Sequence, residues 1–345
     1  MAKFQIGLSG CGGGLESVST HQLLDLAEFA EELGFAGLWL NEEHFQGSVI
    51  EVEGRRCLSP IVLASAILAR TRRLRVGFSV LLLSLHHPVR LAEEIATLDV
   101  LSGGRVNLGI SRGANPRYLA AYGIESETTD ARFHSAIAQI LHCWQAAPID
   151  FGQHSLSVEP KPVQQPHPPI FVGTYTDATV EWTARNGFHL ICHGITNLDH
   201  MRGLLDVFAN AGGDIGTVPF GRFVYVSESD ASAKSELWPT IINLTSRLSS
   251  IGIARRSRFL NEADLEPEKF YRDMVIVGSP ETCARRIAGL RREFGFNYLN
   301  ALSAFFGFLP LDLLERSLRL LATEVRPRVA QMDLAQGGPS QFFRA

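Results

Sequence analysis

Four groups of polar residues, each directly after an apolar run, carry the chemistry this sequence can offer. Asn41-Glu42-Glu43-His44-Phe45 follows Phe35–Leu40 and sets two carboxylates beside an imidazole. Such a group suits proton transfer or cofactor contact, and it suits equally a capped turn with solvated carboxylates. Ser111-Arg112-Gly113 follows Val106–Ile110, where a guanidinium can grip a phosphate by a charge-assisted bidentate bond or pair with a nearby carboxylate. Thr174-Tyr175-Thr176-Asp177 follows Ile170–Gly173 and leads into a helix, making a phosphate cradle or an ordinary N-cap. His193-Gly194 follows His189–Cys192.

Other chemistries find less support. On an extended strand Cys192 and His193 face opposite ways, and no second Cys/His pair complements them, so no metal is expected. His86-His87, directly before Pro88, reads as a structural helix entry. Gly10-Cys11-Gly12-Gly13-Gly14 follows the first strand, but Leu15 stands where a dinucleotide fingerprint needs glycine, and no acidic residue closes the next strand. A loop is the better reading. Neither a GxSxG elbow nor a P-loop lysine is present.

The elements that must position these groups alternate in type. Apolar runs at Phe4–Leu8, Phe35–Leu40, Leu74–Leu83, Val106–Ile110, Ile170–Gly173, His189–Cys192, Phe220–Val226 and Tyr298–Ser303 read as eight buried strands. Helical patterns lie between them, including Pro60–Thr71, Pro88–Leu101, Ala131–Trp144 and a helix begun by Ser279-Pro280. This grammar predicts an α/β fold with a parallel sheet, and the strand-end chemistry favours a TIM (β/α)8 barrel, whose functional loops gather at one face. Residues 227–272 exceed one crossover and read as a helical insertion near strand seven. One domain over 1–326 followed by a polar C-terminal tail at 327–345 accounts for all 345 residues.

Composition narrows the partners. Lys+Arg at 32 against Asp+Glu at 36 gives a net charge of −4, with no basic arm or face for nucleic acid. The five cysteines are scattered and form no CxxC pair, and no run is long enough for a membrane span. A cytoplasmic enzyme is expected.

Several segments in order resemble the bacterial luciferase-like flavin monooxygenase family. They are Leu38-Trp39-Leu40-Asn41-Glu42-Glu43-His44-Phe45, the stretch His87–Asp99 with Leu101-Ser102-Gly103-Gly104-Arg105, Gly109–Gly113, Pro160–Gln164 with Pro168–Val172, and Val277–Thr282. The resemblance implies reduced FMN, supplied by a separate reductase, reacting with O2 to a C4a-hydroperoxide that oxygenates a small organic substrate. It implies that Arg112 and Arg132 hold the flavin phosphate, with Thr174, Tyr175 and Thr176 as further donors. Glu42 would lie near the ring and Ser111 near its reactive edge. A non-prolyl cis peptide at Ser79–Val80 would back the ring system.

One departure bears on chemistry. Luciferases carry Glu-His-His-Phe after strand two, so Glu43 replaces the catalytic histidine and His44 matches the second. The resemblance thus leaves His44, Glu43 and His193 as candidate acid–base groups. Two further outcomes fit the family: an F420-dependent hydride-transferring oxidoreductase, or a flavin-binding protein without turnover. Family barrels pair through their second and third helices, which implies a homodimer here.

Overall fold

The computed structural model describes residues 4–9, 20–45, 58–113, 115–145, 148–256 and 259–335. The glycine loop at 10–14 and the segment 46–57 lie outside the described residues. The apolar runs become eight parallel strands: β1 (Gln5–Ser9), β2 (Gly37–Leu40), β3 (Arg75–Phe78), β4 (Val106–Ser111), β5 (Ile170–Gly173), β6 (His189–Ile191), β7 (Pro219–Val226) and β8 (Tyr298–Ala301). They neighbour one another in chain order from β1 to β6, and β8 pairs with both β1 and β7. A parallel bridge from Cys192 to Phe220 joins the end of β6 to β7, so the strands run round a barrel.

Helices cover the outside: α1 (Thr20–Glu32), α2 (Pro60–Arg70), α3 (Pro88–Ser102), α4 (Pro116–Ala121), α5 (Thr129–Trp144), α6 (Asp177–Arg185) and α7 (Leu198–Asn210). After β7 come α8 (Asp230–Ser250), α9 (Ile253–Arg256), α10 (Pro267–Met274) and α11 (Pro280–Phe294); α12 (Leu311–Leu320) and α13 (Arg326–Ala335) follow β8. Their limits follow local chemistry. Helix α3 opens on Pro88 and stops at Gly103, whose φ of 66° favours a residue without Cβ. Helix α11 is capped by Ser279, whose side chain accepts the Thr282 N–H, and it stops at Gly295 with φ 79°.

Three boundaries differ from the sequence reading. The run Leu74–Leu83 is not one strand: β3 ends at Phe78, the Ser79–Val80 peptide is cis, and Leu81–Leu82 then pairs with Ile110–Ser111. Both halves are apolar, so periodicity shows no break. Val275–Gly278, four residues too short to stand out, forms a further strand along Phe223–Val226 of β7. The supposed tail begins as helix α13: Val329 is fully buried, and Arg326 Nη2 donates to Leu33 O at 3.0 Å. With few apolar side chains among polar neighbours, that helix leaves a faint stripe in the sequence.

Aromatic side chains plug the barrel. Trp39, Phe171 and Ile191 form a compact interior cluster against Val80 and Tyr298, and Trp39 Nε1 donates to Tyr298 Oη at 3.0 Å. Arg75, at the start of β3, donates from Nη2 to Asn107 Oδ1 at 2.7 Å and to Gln164 Oε1 at 2.9 Å. This polar seal leaves the C-terminal strand ends as the place for a site. Close approach within the wall requires glycine: a Cβ on Gly109 would lie 1.6 Å from the Phe78 carbonyl oxygen.

Candidate active site

The β2 turn builds the centre of the site. Glu42 is only 6% exposed, and its carboxylate meets three donors. His44 Nε2 lies 3.0 Å from Oε1, His86 Nε2 lies 2.8 Å from Oε1 and 3.0 Å from Oε2, and the Leu82 N–H donates to Oε2. Burial pushes this carboxyl up, but the His44 and His86 bonds, the His86 charge and the Leu82 N–H outweigh burial and hold it down at about 2. An ionised carboxylate only accepts, so both Nε2 atoms carry hydrogen. A neutral His44 ring then accepts the Tyr122 hydroxyl on Nδ1 at 3.1 Å.

A cavity of about 230 Å³ opens at the strand ends. Its polar wall includes Ser9, Asn41, Glu42, Glu43 and Ser79, and its apolar wall includes Val80, Tyr175, Ile195, Phe259 and Phe306. Tyr175 stacks on Phe259 with centroids 4.1 Å apart and an interplanar angle of 21°. Burial pushes the Tyr175 phenol well above its ordinary range, so it stays protonated. His193 also faces this cavity and lies nearly parallel to Phe306 at 6.3 Å. Burial alone lowers His193 to about 4, and its Nδ1 accepts the Ile195 N–H at 3.3 Å. The neutral ring therefore carries its hydrogen on Nε2.

The sequence candidates divide between places. Glu42, Glu43, Ser79, Val80, Tyr175 and His193 meet at the cavity. His44 stands behind it in the Glu42 network, and Ser111 pairs in register with Leu82 of the cavity wall. Arg112 and Arg132 converge on one turn: the Ser84 N–H donates to Arg112 O at 3.2 Å, and Arg132 Nη2 donates to Ser84 O at 3.3 Å. The Arg112 side chain is 47% exposed and stands 3.6 Å from Asp130. Thr176 N-caps α6 without a side-chain cap bond, and its hydroxyl donates to Thr179 Oγ1 at 2.9 Å, while Thr174 Oγ1 accepts the Thr176 N–H at 3.3 Å. Arginines, and separately hydroxyls at a helix start, are groups able to hold an anion, though Asp177 in the first turn of α6 opposes one there.

Reading the sequence missed His86 as a site residue, because a histidine before proline carries no sign of its partner. It also missed Phe306, Phe259 and Ile253, which reach the cavity from distant segments. Phe305 and Phe306 hold φ values of 48° and 54°, and no residue type there announces it.

The sequence profile of the family described as luciferase-like monooxygenase matches residues 4–298. The chain belongs to this family. Among its relatives, the uncharacterized protein y4wF of Sinorhizobium fredii is 31% identical over 89% of this chain and 91% of its own length. The alkanal monooxygenase alpha chain of Photorhabdus luminescens is 28% identical over 54% of this chain and 51% of its own. Among solved structures, the oxygenating constituent of 3,6-diketocamphane monooxygenase from Pseudomonas putida, in complex with FMN, superposes with a TM-score of 0.76. The match covers 94% of this chain and 99% of that one at 20% identity, and so shows a shared fold. The site lies where strand-end loops of a barrel gather. Among the described residues, no helix is long and apolar enough to cross a membrane.

Proposed function

We propose that this chain is the oxygenating component of a two-component, FMN-dependent monooxygenase acting on a small organic substrate. The observation that carries this reading is the strand-end cavity, where Glu42, Ser79, Val80, Tyr175 and His193 meet between a polar and an apolar wall. That pairing suits a flat ring with one polar edge. Arg112, Arg132, Thr174 and Thr176 would hold the phosphate. When bound, reduced flavin supplies the two electrons that activate O2, and a separate reductase renews it.

The remaining work falls to this chain. Ser79, Val80 and Ser111 orient the ring, and Glu42 fixes the turn beside it. His193 offers a hydrogen from Nε2 to a bound oxygen or substrate atom, and Glu43 exchanges a proton from the polar wall. Phe259, Phe306 and Ile253 exclude water. Homodimer formation through α2 and α3 fits the exposed apolar side chains of Val62 (68%) and Leu101 (75%). Scattered cysteines accord with the cytoplasm.

Anaerobic titration with reduced FMN, followed by mixing with O2, tests the reading. Saturable binding and a protein-dependent absorbance transient are expected. Binding of F420 with none of FMN would move the chain to hydride transfer, and oxygen use uncoupled from every substrate would mark a binder without turnover.

A further inference from the structure

His86 joins two cavities. Its ring lines a second cavity of about 540 Å³, together with Tyr122, Arg132 and Ser135, while its Nε2 reaches the Glu42 carboxylate on the wall of the first. The link spans forty-four residues, from the turn after β2 to the entry of α3. Of the other two donors one is local and one is a backbone group, so His86 is the side chain that ties Glu42 to a distant segment. His44 belongs to the same turn as Glu42 and shares its ring with Tyr122. The Leu82 N–H comes from the short strand that follows Ser79–Val80 and pairs with Ser111.

We propose that His86 is a positioning residue for the flavin site: by donating from Nε2 it anchors the Glu42 carboxylate, which in turn holds the Ser79–Leu82 segment against the turn after β2. This rests on the flavin reading for its ligand, though not for the His86–Glu42 contact. The groups facing Glu42 are His44, His86 and the Leu82 N–H, with Tyr122 behind His44, Glu43 next in the chain, and Arg132 across the cavity that His86 lines. Burial acts on Glu42 in the direction of protonation, so the donors decide its charge. Without His86, burial gains ground and the carboxyl takes up its proton at higher pH.

The test compares His86→Leu, which keeps bulk without a donor, with His86→Gln, whose Nε2 can replace the imidazole Nε2. FMN affinity of the purified protein is measured from about pH 8 to about pH 4.5 by flavin fluorescence. Expected for His86→Leu is binding about tenfold weaker than wild type at neutral pH, with the ratio widening as pH falls. His86→Gln should restore most of the affinity and flatten the ratio. Equal affinities for His86→Leu and wild type at every pH would overturn the proposal, as would equal, pH-independent losses in both variants. Should wild type bind no flavin, the flavin reading fails by itself. Melting temperature at neutral pH then reads the contact: His86→Leu below His86→Gln supports it, and identical values overturn it.

Discussion

The Tyr118 hydroxyl donates to Glu43 Oε2 at 2.9 Å, so helix α4 holds the carboxylate that stands where luciferases carry a histidine. Glu43 is thereby aimed rather than merely present, in the cavity it shares with His193. Tyr118→Phe should lower substrate-coupled oxygen uptake about tenfold while flavin affinity stays within about twofold if, as proposed, the lost bond orients a proton carrier and not the cofactor. Stopped-flow turnover beside a flavin titration separates the two quantities. Equal losses in both would place Glu43 in flavin binding.

On the proposed reading, arginine substitutions should act chiefly through the flavin phosphate. Arg112→Ala and Arg132→Ala are each expected to weaken FMN binding about tenfold or more, since a charge-assisted bond is lost. Riboflavin, which lacks the phosphate, should bind each variant as it binds wild type. Parallel equilibrium titrations with both flavins read the difference.

His193 gives a pH signature in stability. Burial lowers its pKa from 6.5 to about 4 in the folded chain. Between those values the unfolded chain takes up a proton that the folded chain refuses, so stability falls as pH drops from 6.5 toward 4. His193→Gln removes that difference. Its melting temperature should decline less steeply than wild type over the same range in thermal scans by circular dichroism.

Gly109 tests the packing of the barrel wall. The Phe78 carbonyl oxygen would sit 1.6 Å from an added Cβ, and backbone cannot swing aside as a side chain can. Gly109→Ala should cost about 3 kcal/mol or more, read from denaturant unfolding, or prevent accumulation of folded protein. Gly203→Ala, on α7 with nothing near its added Cβ, is the matched control.

Much of the architecture was legible in the sequence because burial leaves a periodic trace. Eight apolar runs separated by helical stripes prescribe parallel strands under helices, and Pro88, Gly103, Ser279 and Gly295 mark helix ends by local backbone chemistry. Glu42, Glu43, Tyr175 and His193 were visible as polar groups directly after apolar runs, which is where a barrel presents them. The Val275–Gly278 strand and helix α13 were not visible, since four residues, or a few apolar positions among polar ones, carry too little pattern.

Alternating elements together with the family segments pointed to a single barrel. Residue types determined which groups could titrate, donate or stack. Only the tertiary structure decided how each is used: His86 clamps Glu42 across forty-four residues, Tyr118 aims Glu43, and Phe306 lies over His193. Such pairings depend on distances between chain segments remote in sequence, and a hydrogen bond leaves no periodicity by which to foresee its partner.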